Sequence, residues 1–152
     1  MEKQFFTAAI STEIFKIISD ASKQLQLESY VIGGFVRDFL LKRGTAKDID
    51  IVAIGSGIAL AEKVASLLPN KPKVQIFKTY GTAMLRYKDV DIEFVGARKE
   101  SYSEESRNPL IFEGTLQEDQ NRRDFTINAL ALSLNEENFG ALLDPFNGME
   151  DL

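Results

Sequence analysis

The fold turns on one stretch, Tyr30 to Ala53, "YVIGGFVRDFLLKRGTAKDIDIVA". With Ser29, its first residues "SYVI" read as a buried strand that runs into Gly33-Gly34. "GGFVRDFLLKRG" is then a Gly-Gly turn and a helix ending near Gly44. "DIDIVAI", residues 48–54, alternates polar and apolar side chains and reads as a strand with one solvated face. Residues two apart on a strand share a face. Asp48 and Asp50 therefore point together, while Ile49 and Ile51 point to a core. Two carboxylates this close repel unless a cation lies between them. Oxygen donors without histidine suit a hard ion such as Mg²⁺.

Alone, D-x-D describes any half-exposed strand. A second pair repeats it. In "KDVDIEFVGAR", residues 88–98, Asp91 and Glu93 share one strand face and Ile92 and Phe94 the other. If the two strands lie side by side, three or four carboxylates crowd one spot. With metal, such a cluster is a two-ion site for in-line displacement at phosphorus.

The glycines add to this. Gly33-Gly34 lies at a strand end and directly before a helix, where backbone N–H groups can approach a phosphate closely. The helix start adds partial positive charge. Arg37, one turn in, can fork onto phosphate oxygens. A third element is "NRRDFTINALAL", residues 121–132. Arg123 suits phosphate, Asp124 and Asn128 suit ribose hydroxyls, and Ile127 and Leu130 can face a core. The structural alternatives are a plain strand-to-helix turn and a helix with a charged start.

Working outward, Phe6, Ile10, Ile14, Ile17, Ile18, Ala21 and Leu25 recur at helical spacing, which predicts an amphipathic helix over 5–26. "GSGIALAEKVASLLPN", residues 55–70, is a helix closed by Pro69 and Asn70. Residues 73–98 read as two or three strands, with Gly81 as a break and Lys88-Asp89 as a hairpin turn. "KESYSEESRNPLIFEG", residues 99–114, is polar and Pro-interrupted and reads as a loop. "TLQEDQNRRDFTINALALSL", residues 115–134, reads as helical, and the end of the chain as turns. The expected class is α+β, a small mixed sheet with flanking helices.

Composition bounds the chemistry. The 152 residues suit one compact domain or one with a small appendage, and 44% hydrophobic with 27% charged is ordinary for a globular protein. There is no cysteine and no histidine. Disulfides, thiolate zinc sites, thiol nucleophiles, imidazole ligands and histidine triads are excluded. A net charge of −5 argues against a broad basic nucleic-acid surface but leaves room for a local basic cleft. No apolar run is long enough to span a bilayer, and the start lacks the pattern of a signal peptide. No membrane partner is expected, and a cytoplasmic location is.

"GGFVRDFLLKRGTAKDIDIV", "VDIEFVGARKESY" and "RRDFTINALA", in that order, resemble the head domain of the bacterial-type (class II) tRNA nucleotidyltransferase and poly(A) polymerase family, within the DNA polymerase β-like nucleotidyltransferase superfamily. "DPFNGMEDL" is similar to that family's D-P-F-G-G-x-x-D-L. The resemblance implies a polymerase β-like head. Asp48, Asp50 and Glu93 would be its catalytic carboxylates and would bind two Mg²⁺ ions. One ion would make the RNA 3′-hydroxyl more acidic, and the other would clamp the triphosphate. Gly33, Gly34 and Arg37 would hold the triphosphate. Arg123 would contact nucleotide phosphates, with Asp124 and Asn128 near the ribose. The loop from Lys99 to Glu113 would lie near the primer end. CTP and ATP would be the substrates and tRNA the partner, with CCA addition the favoured activity and poly(A) tailing the alternative.

"EDQNR", residues 118–122, matches by letters the family's base-choosing E-D-x-x-R string, but it precedes the second signature and reads as its lead-in. The true counterpart and the helical RNA-gripping body are expected beyond Leu152. Residues 1–135 would then be the head and 136–152 the start of a neck in a longer enzyme. Two readings from other classes remain: a non-catalytic nucleotide- or RNA-binding module, and a metal-dependent glycosyltransferase, which has no role for "RRDFTINALA".

Overall fold

The structure, a computed structural model, describes residues 13–33, 35–36, 48–77, 81–102, 109–113 and 130–143, with backbone alone for 98–102 and 109–113. Its centre is a seven-stranded mixed sheet. In chain order the elements are α1 (Glu13–Gln24), β1 (Glu28–Ile32), β2 (Asp48–Ile54), α2 (Gly57–Leu67), β3 (Gln75–Phe77), β4 (Thr82–Tyr87), β5 (Val90–Gly96), β6 (Arg98–Tyr102), β7 (Pro109–Glu113), β8 (Ala131–Ser133) and β9 (Leu142–Leu143). The strand order is β3-β4-β5-β2-β1-β8-β9. Among the described residues, only β2 and β5 pair in parallel; every other neighbouring pair in this sheet is antiparallel.

Helices α1 and α2 cover one face of this sheet. Ile14, Phe15 and Ile18 of α1 and Leu60, Ala61 and Val64 of α2 pack with Ile49, Ile51, Ile92, Phe94 and Leu85 in one buried cluster. The alternation of β2 and β5 produces this directly: odd positions of β2 and even positions of β5 enter the core. α2 starts where Ser56 accepts a hydrogen bond from the Ala59 N–H at 3.0 Å. α1 is tied to the sheet by a buried polar chain. The Ser22 and Ser29 hydroxyls lie 2.6 Å apart, and the Ser29 N–H donates to Asn135 Oδ1 at 2.9 Å.

The helix-covered layer closes tightly at the α2 start. A Cβ on Gly57 would lie 2.7 Å from the Val95 carbonyl carbon, and one on Gly96 would lie 2.7 Å from the Gly55 carbonyl oxygen. Backbone meets backbone here, so a methyl group has no flexible side chain to push aside. Gly57→Ala is expected to cost about 1–3 kcal/mol, the range of overpacked sites. Urea denaturation measures it, and a midpoint equal to wild type would show that α2 and β5 can part freely.

Four sequence expectations change. Residues 99–113 do not form a loop throughout: β6 and β7 pair antiparallel, Arg98 with Glu113 through Tyr102 with Pro109, as a separate two-stranded sheet. Pro109 is tolerated because it opens its strand on an edge. The helix expected over 115–134 does not extend to its end, since Ala131–Ser133 is β8 and pairs with β1. Its three residues are buried, and that position in the sheet overrides the helix propensity of Ala and Leu. The open face of β2 is solvated only at its start, because Val52 lies in a second buried cluster with Tyr30, Ile32, Ala97 and Ala131. Leu25 falls beyond α1 and is exposed, with Gln26 turning at φ 56°. Residues 136–143 form a 3₁₀ turn (Glu136–Asn138) and β9, which pairs with β8. Residues 5–12 and 37–44 lie outside the described residues.

Candidate functional site

On the face away from the helices, strand register orders the side chains in cross-strand rows. The first row is Arg86, Asp91 and Asp48 on β4, β5 and β2. The second is Met84, Glu93, Asp50 and Ile32 on β4, β5, β2 and β1. The third is Thr82, Val95, Val52 and Tyr30. Polarity falls row by row, from charged, to mixed, to largely apolar. At the apolar end, burial pushes the Tyr30 phenol above its ordinary value of 10.0. At the other end, Asp48, Asp50 and Glu93 are exposed.

Asp50 and Glu93 are direct partners across the parallel pair. Neighbouring strands lie about 4.8 Å apart, so the two carboxylates stand abreast on one face. Asp91 holds the equivalent place beside Asp48 but already has a cation: Arg86 approaches it at 3.6 Å and Asp89 at 3.8 Å. Asp91 thus has a cationic cross-strand partner on β4. Among the described residues, no group of three or more acidic side chains is drawn together into a ligating cluster. The fit to hard divalent cations therefore rests on the register and on the oxygen-only donor set.

Gly33 follows Ile32, the partner of Asp50, and so turns at the same end of the sheet. Its φ of 81° is left-handed, a conformation that favours glycine. Its N–H donates to the Leu130 carbonyl at 3.1 Å and is thus engaged within the fold. The chain next enters helical backbone at Phe35 and Val36, and Val36 is buried in the main core. Leu130, buried as expected, is the first described residue after the "RRDFTINA" segment, and its bond to Gly33 places it at this end too. Gly34, Arg37, Arg123, Asp124, Asn128 and Ile127 lie outside the described residues. Reading the sequence missed Arg86. The signal was present, since a hairpin turn at Lys88-Asp89 places position 86 opposite position 91.

Comparison with known proteins follows the same lines. The family profile of the poly A polymerase head domain matches residues 29–152. An A-adding tRNA nucleotidyltransferase of Aquifex aeolicus is 41% identical over 126 residues, covering 83% of this chain and 15% of that protein. A solved CCA-adding enzyme in its apo form II superposes with a TM-score of 0.85 at 33% identity, over 99% of this chain and 37% of its own. A tRNA nucleotidyltransferase complexed with a primer tRNA and an incoming ATP analog superposes with a TM-score of 0.74 at 38% identity, over 88% of this chain and 36% of its own. This chain thus spans well under half the length of each. Among the described residues, no helix is long and apolar enough to cross a membrane.

Proposed function

Because the chain belongs to the poly A polymerase head domain family, we propose that it is the catalytic head of a template-independent RNA nucleotidyltransferase that extends tRNA 3′ ends. The observation that carries this reading is the parallel register that sets Glu93 beside Asp50. Asp48, Asp50 and Glu93 would hold divalent cations, which when bound supply the charge that neutralises a triphosphate and makes a 3′-hydroxyl more acidic. The chain's own part is positioning. Two strands whose inner faces are locked in the core present three acids at fixed spacing, and the Gly33 turn closes that end.

CTP and ATP are the proposed substrates. The A-adding and CCA-adding relatives share this head at similar identity, which supports placing base choice outside these residues. The pairing of β9 with β8 supports counting residues as far as Leu143 with the head. A non-catalytic descendant of the fold would have no use for three acids on one exposed face of two neighbouring strands.

The test is incubation of the chain with Mg²⁺, labelled CTP or ATP, and tRNA lacking its 3′ end. Weak, poorly discriminating addition with pyrophosphate release, abolished by EDTA, is expected. Release of a nucleoside diphosphate would instead indicate glycosyl transfer. Robust addition specific for CTP and then ATP by these 152 residues alone would refute the head-only reading.

A further inference from the structure

The acid face carries four carboxylates, yet only three are needed for the site proposed above. Asp91 is the surplus. It lies directly opposite Asp48 on the parallel strand, as close in register as Glu93 is to Asp50. Left free, it could draw a cation toward the first row and away from the Asp50–Glu93 pair. Its other cross-strand partner is Arg86. The guanidinium lies 3.6 Å from Asp91 on β5 and 3.8 Å from Asp89 in the hairpin turn, so it bridges these two acids.

We infer that Arg86 is a positioning residue, one that holds Asp91 out of the metal-binding set and leaves Asp48, Asp50 and Glu93 to act together. This rests on the metal-dependent reading of the site. The pair is 65% and 41% exposed, and exposed pairs add little to stability. Its value lies in where it puts charge. Residues 86, 91 and 48 share one row, so the guanidinium is on the metal side of the sheet and away from the core. Removing it frees one carboxylate and deletes one positive charge beside the site.

Mn²⁺ titration followed by the free-ion paramagnetic resonance signal tests this on the chain itself, with circular dichroism to verify folding. Wild type should bind Mn²⁺, and Glu93→Gln should weaken binding. Arg86→Gln should tighten binding by about tenfold, the effect of one unit charge about 6 Å from a divalent ion in a water-like dielectric. Arg86→Lys should stay near wild type. Arg86→Gln combined with Asp91→Asn should return to wild-type affinity. A purely structural role for Arg86 predicts no tightening.

Each other pattern overturns the inference. Unchanged or weaker binding in Arg86→Gln removes any hold on Asp91. A double variant as tight as the single one shows that Arg86 acts without Asp91. A double variant far weaker than wild type shows that Asp91 is itself a ligand. Absence of Mn²⁺ binding by wild type defeats the metal-dependent reading as well, whereas a flat response confined to the Arg86 variants leaves that reading intact.

Discussion

Glu93→Gln is expected to lower nucleotide addition by at least about 10³-fold, the scale of a charge-stabilising group in phosphoryl transfer, with the melting temperature nearly unchanged. Glu93 is exposed, and Gln has nearly the same volume. An exposed isosteric change of this kind shifts stability by no more than about 0.5 kcal/mol. What it removes is a full negative charge abreast of Asp50. Active sites commonly hold such charges at some cost in stability, so a slight rise in melting temperature would also fit. Measurement of pyrophosphate release and a thermal melt on the same preparation decides it. Activity within tenfold of wild type would remove Glu93 from the site and leave the Asp48–Asp50 pair without its partner.

One peptide bond further, the opposite phenotype is expected. Phe94 is fully buried and faces the helices, among the core residues that hold β5 against α1 and α2. Phe94→Ala should destabilise by about 3–5 kcal/mol through lost apolar burial and the cavity left behind. For a domain of this size that is a drop of roughly 10 °C in melting temperature. Substrate-independent denaturation by urea gives the free energy directly. Loss of activity in this variant should track unfolding and be recovered on cooling, whereas the Glu93→Gln defect should persist at every temperature. A Phe94→Ala protein as stable as wild type would contradict the packing of β5 against the helices. The two side chains differ only in which face of one strand they occupy.

Much of this was legible before any coordinates. The alternation in "DIDIVAI" and "DVDIEF" assigns each acid to one face and each apolar neighbour to the other, because successive residues on a strand point opposite ways. The hairpin at Lys88-Asp89 was legible too, and both residues take positive φ. The failures came where tertiary setting outweighed local preference. "ALS" is a strand because a place beside β1 buries all three residues, although Ala and Leu favour helices. Residues 109–113 pair with 98–102 although the stretch opens on proline. Neither outcome can be read from a window of a few residues.

The amino-acid sequence by itself determined the donor chemistry. With no histidine and no cysteine, any metal or phosphate chemistry here falls to carboxylates, cations and hydroxyls. Periodicity also determined which acids share a face. Only the tertiary structure decided that β5 returns beside β2, in parallel, with Glu93 level with Asp50 and Asp91 level with Asp48 and clamped by Arg86. The physical reason is that alternation is a property of one strand, whereas register is a property of two. It is set by how α2 and the β3–β4 hairpin carry the chain back across the core, through contacts between residues far apart in sequence.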